Sequence, residues 1–191
     1  MNKDNAIVML VVGHTPKRKG AKNEKNTELN EYDINSNIAT MIKNQLSMKD
    51  VDVMVISDLA TKSKTKIINE ICRSTVGTVK IQVSMHFNAF KGYISNTSGC
   101  EVLVSDKKIN SAGLAESLLD EFSTMNQNRG IKIRTKGSRG YAILNTESDY
   151  SVLCEPLFID AEEGEALSDP IMTDFLVDSY VNGITNFIER I

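Results

Sequence analysis

The chain alternates short apolar runs with longer stretches in which apolar residues recur every three or four positions. Five short runs are rich in β-branched residues, which is typical of strands. They are residues 6–12, 51–57, 79–85, 100–104 and 152–159. Most of these runs contain few polar residues, so we expect most of the strands to be buried on both faces of a sheet.

Four other segments show the helical spacing of apolar residues. They are residues 34–46, 67–71, 114–122 and 171–188. The last is the longest, and Ser168 or Asp169 is expected to cap its N-terminus, with Pro170 in the first turn. Strands that alternate with helices in this way predict an α/β fold, with a mostly parallel sheet and helices on both faces.

Two stretches rich in Gly, Asn, Ser and Lys interrupt this pattern, residues 86–99 and 126–140. We expect both to be long surface loops, and functional loops gather at the carboxyl ends of parallel strands. The chain has 191 residues, of which 41% are apolar, and no internal repeat or linker. It is therefore predicted to form a single domain over residues 1–191.

Both histidines of the chain follow predicted strands. His14 comes after the first strand, in VVGHTP, and His86 comes after the third, in VSMHFNA. Because parallel strands end at the same edge of a sheet, we expect the two imidazoles to emerge together. Glu31 begins the first helix, and the loop from His14 must return to that edge before the helix starts. The carboxylate of Glu31 can therefore approach both imidazole rings.

Two histidines and one glutamate from separated segments form the open three-ligand set of a catalytic zinc site. Glu155 lies within the apolar run SVLCEPLFI, where an ionised carboxylate needs a compensating partner. A zinc ion lowers the pKa of its bound water to about 7, and a neighbouring carboxylate can pass that proton to a leaving nitrogen. We therefore expect one Zn²⁺ per chain, held by His14, Glu31 and His86, with Glu155 as the catalytic carboxylate.

The motifs around these residues occur in the order of a known family. Along the chain they are GHTP, EYDINSNIA, SMHFNA, SGCEVLV, RGYAIL and VLCEPLFID. Over residues 6–190 they resemble the zinc-dependent N-acetylmuramoyl-L-alanine amidases of the type-3 class, especially compact forms encoded by bacteriophages. The resemblance implies a twisted central sheet of about six strands. It also implies hydrolysis of the amide that joins N-acetylmuramic acid to the L-alanine of the peptidoglycan stem.

In that family the residues that match His14, Glu31 and His86 bind zinc, and the residue that matches Glu155 is catalytic. Two features depart from the family pattern. The first motif reads GHTP where many members have GHGG, and the loop before Glu31 also contains two competing acids, Glu24 and Glu28. Of the three acids, Glu31 is selected because the N-x-x-x-A segment of the family follows it directly.

Three further polar residues are candidates for supporting roles. Asn88, two residues after His86, is a candidate substrate contact. Arg139 is another, because a planar guanidinium can grip a carboxylate. Glu101, in SGCEVLV, is a candidate partner of a ligand histidine, but a strand residue that faces solvent is the favoured interpretation.

Composition excludes several functional classes. The net charge is −3 and the basic residues are scattered, so there is no basic surface for nucleic acid. The three cysteines, Cys72, Cys100 and Cys154, lie in apolar runs, which favours reduced core thiols.

No segment is apolar over the length of a membrane span, and the N-terminal hydrophobic segment is too short for a signal peptide. We expect synthesis in the cytoplasm and action on the cell wall after the membrane is breached.

Two other functions remain open at this level. A cysteine amidase would use Cys154 with a histidine base, although strand alternation places Cys154 and Glu155 on opposite sides. A module that binds the wall without cutting it is the second alternative. The presence of all four candidate site residues favours the zinc enzyme over both, and peptidoglycan is the expected partner in every case.

Overall fold

The structure is a computed structural model that describes residues 6–90 and 98–191. Within these residues the chain forms six strands, β1 (Ala6–Val12), β2 (Asp52–Ile56), β3 (Val79–Met85), β4 (Cys100–Ser105), β5 (Asn128–Arg134) and β6 (Tyr150–Glu155). The α-helices are α1 (Glu31–Ser47), α2 (Thr61–Ser74), α3 (Ala112–Phe122), the short α4 (Tyr141–Leu144) and α5 (Pro170–Ile188). Two 3₁₀ helices cover Ile109–Ser111 and Glu162–Ser168.

The strands form one sheet in the order β2-β1-β3-β6-β4-β5. The pairs β1–β2, β1–β3, β3–β6 and β4–β5 are parallel, whereas β4 and β6 are antiparallel. Strand β1 is buried along its whole length, while the edge strand β2 alternates between exposed and half-buried residues until its last position. The parallel strands β1, β3 and β6 therefore lie side by side at the centre of the sheet, and their carboxyl ends lie at the same edge.

Each face of the sheet has its own apolar core, because successive strand residues point to opposite faces. On one face, Leu10 of β1 packs in a cluster with residues of α1, α3 and α5, including Tyr180. On the other face, Val11 packs with Ile68 of α2 and Leu144 of α4. Each fully buried aliphatic side chain contributes about 1.5–3 kcal/mol. The predicted α/β class, with a mostly parallel sheet covered on both faces, is confirmed.

Side-chain caps fix where two of the helices begin. Asp169 accepts a hydrogen bond from the backbone N–H of Ile171 at 2.9 Å, with Pro170 in the first turn of α5. Of the two predicted caps, Asp169 is the one used. Asn30 caps α1 in the same way, by accepting from the backbone N–H of Asp33 at 3.0 Å. This cap starts α1 at Glu31 and places that carboxylate in the first turn.

The prediction of a long surface loop over residues 126–140 is wrong in its first half. Asn128–Arg134 form β5, an edge strand parallel to β4. All of its residues are exposed or half-buried, and Gly130 has a positive φ of 84°. No apolar run therefore marks this strand in the sequence. Of the other predicted loop, residues 86–99, the segment 91–97 lies outside the described residues.

The cysteines behave as core residues. Cys72, Cys100 and Cys154 are all buried free thiols, as the apolar runs around them predicted. Across residues 6–90 and 98–191, no helix combines the length and the apolar character that a bilayer crossing needs.

Candidate metal centre and active site

His14, Glu31 and His86 meet at the carboxyl end of the central strands. Val12 at the end of β1 is paired with Met85 at the end of β3, so the residues that follow the two strands emerge side by side. The ligand atoms of the three side chains all lie within 4.8 Å of one another. The imidazole ring centroids are 5.1 Å apart, with an angle of 71° between the ring planes. The structure thus brings together the three residues that the sequence predicted as metal ligands.

The carboxylate of Glu31 lies between the two rings. Its Oε2 atom is 2.9 Å from Nε2 of His14 and 3.3 Å from Nδ1 of His86. The backbone N–H of Ala21 donates to Oε1 at 2.9 Å, and that of Phe87 donates to Oε2 at 3.3 Å. Burial raises the pKa of Glu31, but the two histidines outweigh this effect and hold the pKa well below its usual range. The carboxylate is therefore ionised and fixed in place.

This set of donors fits a zinc ion. Two imidazole nitrogens and one carboxylate oxygen are the protein ligands of open catalytic zinc sites. Burial lowers the pKa of His86, which favours the neutral imidazole that binds a metal. Glu24 and Glu28, the competing acids, are exposed and lie outside the cluster. His14, Glu31 and His86 can therefore hold one divalent cation.

Two glycines allow the backbone to approach the histidine rings closely. A Cβ atom on Gly13 would lie 2.5 Å from Cε1 of His86. A Cβ atom on Gly20 would lie 2.5 Å from Cδ2 of His14, and Gly20 also has a φ of 83°. Real Cβ atoms essentially never make contacts this short. The two glycines are therefore part of the packing that orients the rings.

The backbone of His14 is in the left-handed region, with a φ of 61°. A residue with a side chain held there costs about 1–3 kcal/mol and persists only where its surroundings enforce it. Lys64 of α2 donates to the carbonyl oxygens of Val12 and, at 2.7 Å, of His14. Burial lowers the pKa of Lys64 to about 8, although the charge of Asp58 acts in the opposite direction.

Lys64 was not predicted from the sequence, although the spacing of apolar residues in α2 marks it. The apolar stripe of α2 contains Ile67, Ile68 and Ile71. Lys64 lies three, four and seven positions before them, on the face of the helix that must be buried. A lysine on an apolar helix face requires specific partners, and a search for such residues would have identified it.

Glu155 ends β6 at the same edge of the sheet, and the N–H of His86 donates to the carbonyl of the preceding residue, Cys154, at 3.0 Å. The side chain of Glu155 is 2% exposed, and Nη2 of Arg139 donates to its Oε1 at 2.6 Å. Glu101 lies directly opposite Glu155 in the antiparallel β4–β6 pair. The pKa of Glu155 is raised to about 7, because burial and the neighbouring acid Glu101 raise it more than the Arg139 guanidinium lowers it. Glu155 can thus gain or lose a proton near neutral pH, as a proton carrier must.

The favoured interpretation of Glu101 as a solvent-facing residue is wrong. Strand β4 runs antiparallel to β6, so it begins at the edge where β1, β3 and β6 end, and Glu101 is buried there. Nε of Arg129 donates to its Oε2 at 3.1 Å, and the Arg129 guanidinium also lies over the ring of Phe158, 5.0 Å from the ring centroid. Glu101 therefore supports Glu155, not a ligand histidine.

The two candidate substrate contacts differ in position. Arg139 lines the cavity that contains His14 and His86, and its side chain is 66% exposed. Asn88 is bridged through its backbone to Phe158, and its side chain accepts from the N–H of the next residue, Ala89. Among the described residues it does not line the cavity. Arg139 thus remains available to a substrate, whereas the side chain of Asn88 is engaged locally.

The candidate site opens into a cavity of about 550 Å³. Its walls include the three predicted ligands together with Lys64, Arg139 and Leu153. This volume lies within the usual range of small-molecule sites, about 300–1,000 Å³. The cavity therefore combines a metal-binding set, a cationic side chain and apolar walls in one open pocket.

Cys154 lies on the opposite face of the sheet from this cavity. Its thiol is fully buried in the cluster beneath α1, α3 and α5 and contacts Tyr180. Burial holds the pKa of Cys154 well above its usual range. A thiol that is neutral and directed away from the histidines cannot act as their nucleophile. The geometry argues against the cysteine amidase alternative.

Comparison with known proteins points to one family. The model of the Amidase_3 family, described as N-acetylmuramoyl-L-alanine amidase, matches residues 8–186. This match covers nearly the whole chain, including all four residues predicted for metal binding and catalysis. A search of curated proteins found no match.

Solved structures share the fold over almost the full chain. The CwlD amidase of Clostridioides difficile, solved in complex with the GerS lipoprotein, has a TM-score of 0.80 and 23% identity, covering 98% of this chain and 100% of its own. The N-acetylmuramoyl-L-alanine amidase AmiC2 of Nostoc punctiforme has a TM-score of 0.78 and 21% identity, and the match covers 97% of this chain and 98% of AmiC2. The catalytic domain of the CD27L endolysin, which targets Clostridia difficile, has a TM-score of 0.74 and 22% identity, and the match covers 95% of this chain and 97% of that domain.

We expect Gly20→Ala to weaken zinc binding by about tenfold or more, because its Cβ displaces the ring of His14 from Glu31. Competition with a chromophoric zinc chelator measures this change. Gly77→Ala is the matched control, since Gly77 also has a positive φ, of 80°, but nothing lies within 4 Å of its Cβ position. The control should lose stability and keep its zinc affinity. Equal zinc affinity in Gly20→Ala and the wild type would contradict the packing argument.

Proposed function

The chain belongs to the N-acetylmuramoyl-L-alanine amidase family, and we propose that it is a zinc-dependent enzyme that cleaves the amide between N-acetylmuramic acid and the L-alanine of the peptidoglycan stem. The observation that carries this proposal is the convergence of His14, Glu31 and His86 within 4.8 Å, at the edge of the sheet where the neighbouring strand β6 ends in the buried Glu155. The family match over residues 8–186 supports the choice of substrate.

His14, Glu31 and His86 would hold the metal. When bound there, a zinc ion supplies a Lewis acid and lowers the pKa of water at the site. The backbone N–H groups of Ala21 and Phe87 hold the Glu31 carboxylate in its orientation. The ligand set is thus fixed by the protein, which reduces the rearrangement needed to bind the metal.

Glu155 would move the protons of the reaction. In its ionised form it accepts a proton from the attacking water, and in its protonated form it donates that proton to the leaving nitrogen. Its pKa of about 7 makes both forms accessible near neutral pH. Arg139, which lines the cavity, donates to one of the Glu155 oxygens at 2.6 Å and so links the buried carboxyl group to the cavity wall.

Arg139 would also contact the substrate. A guanidinium group has five N–H donors in a planar fork, and Glu155 uses one of them in the described contact. The exposed remainder faces a cavity that is otherwise lined largely by apolar and small residues. A carbonyl or carboxylate of the stem peptide is the kind of group that these donors bind.

We expect the purified protein to release fragments from cell walls and to expose new L-alanine N-termini. Glu155→Gln removes the proton acceptor and preserves the size of the side chain, so kcat should fall by about 10²–10⁴-fold. His86→Ala should abolish both zinc binding and activity, whereas Glu155→Gln should still bind zinc. Labelling of free N-terminal alanine, with zinc analysis of each variant, measures these effects.

Cys154→Ala is the control for this experiment, because the thiol lies on the other face of the sheet. Its turnover should stay within a few-fold of the wild type. Loss of activity in Cys154→Ala with activity retained in Glu155→Gln would favour the thiol mechanism. Binding to walls without release of soluble fragments would instead favour a wall-binding module. Full activity after the metal is removed by a chelator would contradict the zinc mechanism.

The pH dependence of activity should report the state of Glu155. Because the ionised form must accept the first proton, kcat/KM should rise as the pH increases through about 7. Glu101→Gln removes the carboxyl group that raises the pKa of Glu155, so the same rise should occur at lower pH. Glu116→Gln, an exposed change on α3, is the control and should leave the profile unchanged. An unchanged profile in Glu101→Gln would refute the coupling between the two acids.

For the biological setting, we propose that the enzyme reaches the cell wall when the membrane is breached, as in phage lysis. The fold is shared with an endolysin catalytic domain and also with bacterial amidases, so the fold supports this setting and a bacterial one equally. The proposal predicts that bacteria of the susceptible host expressing the chain stay intact until their membrane is permeabilised and then lyse rapidly. Turbidity measures this, with Glu155→Gln as the inactive control. Lysis of unpermeabilised cells would contradict it.

A further inference from the structure

Lys64 is a buried cation next to the candidate metal site. Its residue is 4% exposed, and its ammonium group donates to the carbonyl oxygens of Val12 and His14. Among residues 6–90 and 98–191, no carboxylate forms an ion pair with it within 4.0 Å. Burial of an ammonium group without an anionic partner is costly. An aliphatic residue would suit this apolar helix face better, so the lysine needs a specific reason.

The two carbonyl groups that it binds belong to the turn that delivers His14. Val12 is the last residue of β1, and the N–H of Gly13 still bonds to the carbonyl of Met85 at 2.9 Å. His14 then leaves the sheet with a φ of 61°. One ammonium group that holds the carbonyls on both sides of Gly13 restrains the backbone of this turn. Such a restraint is what a strained, left-handed residue requires.

His14 depends on its backbone more than the other ligands do. Its side chain is 31% exposed, compared with 18% for His86 and 4% for Glu31. Packing therefore holds the ring of His14 less firmly than it holds the other two groups. Besides its contacts with Gly20 and Glu31, the ring therefore depends on the conformation of the turn, and the partner of that turn on α2 is Lys64.

We propose that Lys64 is a positioning residue, whose ammonium group clamps the turn from Val12 to His14 and so keeps the His14 imidazole in place to bind the metal. This inference rests on the proposed metal site. It assigns to α2 a role in the site although no residue of α2 is a metal ligand.

A competing effect of Lys64 has the opposite sign, which makes the proposal testable. Like charges repel, so a positive charge near a bound cation weakens cation binding. If Lys64 were only a nearby charge, its removal would tighten zinc binding. If Lys64 is the clamp, its removal weakens zinc binding despite the relief of that repulsion.

The experiment measures zinc affinity in the full chain by chelator competition, with circular dichroism to verify that each variant is folded. Lys64→Met keeps the length of the side chain and removes the donors, and we expect its zinc affinity to fall by about tenfold or more, as for other groups that orient metal ligands. Lys64→Arg can donate to both carbonyls and should bind zinc within a few-fold of the wild type. Lys62→Met, an exposed change in the same turn of α2, is the matched control and should not change the affinity.

Equal or tighter zinc binding in folded Lys64→Met overturns the proposal, as does a loss of affinity that Lys64→Arg fails to restore. If Lys64→Met does not fold, Lys64→Leu is measured instead against the same criteria, since it also removes the donors and is an aliphatic residue of the kind that suits this apolar helix face. The zinc affinity of the wild type distinguishes a failure of the metal site from a failure of the Lys64 clamp. Wild-type protein that does not bind zinc overturns the metal site itself, whereas tight wild-type binding with no effect of Lys64→Met overturns the clamp alone.

Discussion

The site depends on the contact of one ionised carboxylate with two imidazoles at the ends of β1 and β3. Glu31 is held there by two backbone N–H groups and by the start of α1, which the Asn30 cap fixes. The histidines reach it because the two strands are neighbours in exact register. Gly13 and Gly20 have no Cβ at the positions where one would collide with a ring. The local sequence around each ligand is thus explained by the need to bring three groups within 4.8 Å.

The one antiparallel pairing in the described sheet, between β4 and β6, brings a second acid to the site. If β4 ran parallel to β6, its first residues would lie at the opposite edge of the sheet. Because it runs antiparallel, Glu101 lies opposite Glu155. Strand β5, parallel to β4, begins at the same edge and brings Arg129 to Glu101 at 3.1 Å. This reversal of direction therefore places a second acid and its arginine beside Glu155.

The sequence predicted the parts of this arrangement that depend on periodicity. Runs of β-branched residues located β1 and β3, and the ends of these strands located His14 and His86. The edge strand β5 was missed because it buries little apolar surface and so has no apolar run. The predicted environment of Glu101 was wrong because the local pattern of apolar and polar residues does not encode the direction of a strand. Lys64 was missed because its carbonyl partners become neighbours only when α2 packs on the sheet.

The surroundings of the two buried glutamates assign them different roles. Both lose hydration on burial, which alone would favour the protonated form of each. Glu31 has two imidazoles and two backbone donors, which hold its pKa well below the usual range, so it stays ionised as a ligand must. Glu155 has one exposed arginine and one neighbouring acid, and its pKa is about 7. Environments that separate the pKa values of two similar groups distinguish a fixed charge from a proton carrier. The same residue type is thus suited to binding a metal at the start of α1 and to carrying a proton at the end of β6, and the difference lies in the partners that the sheet topology supplies.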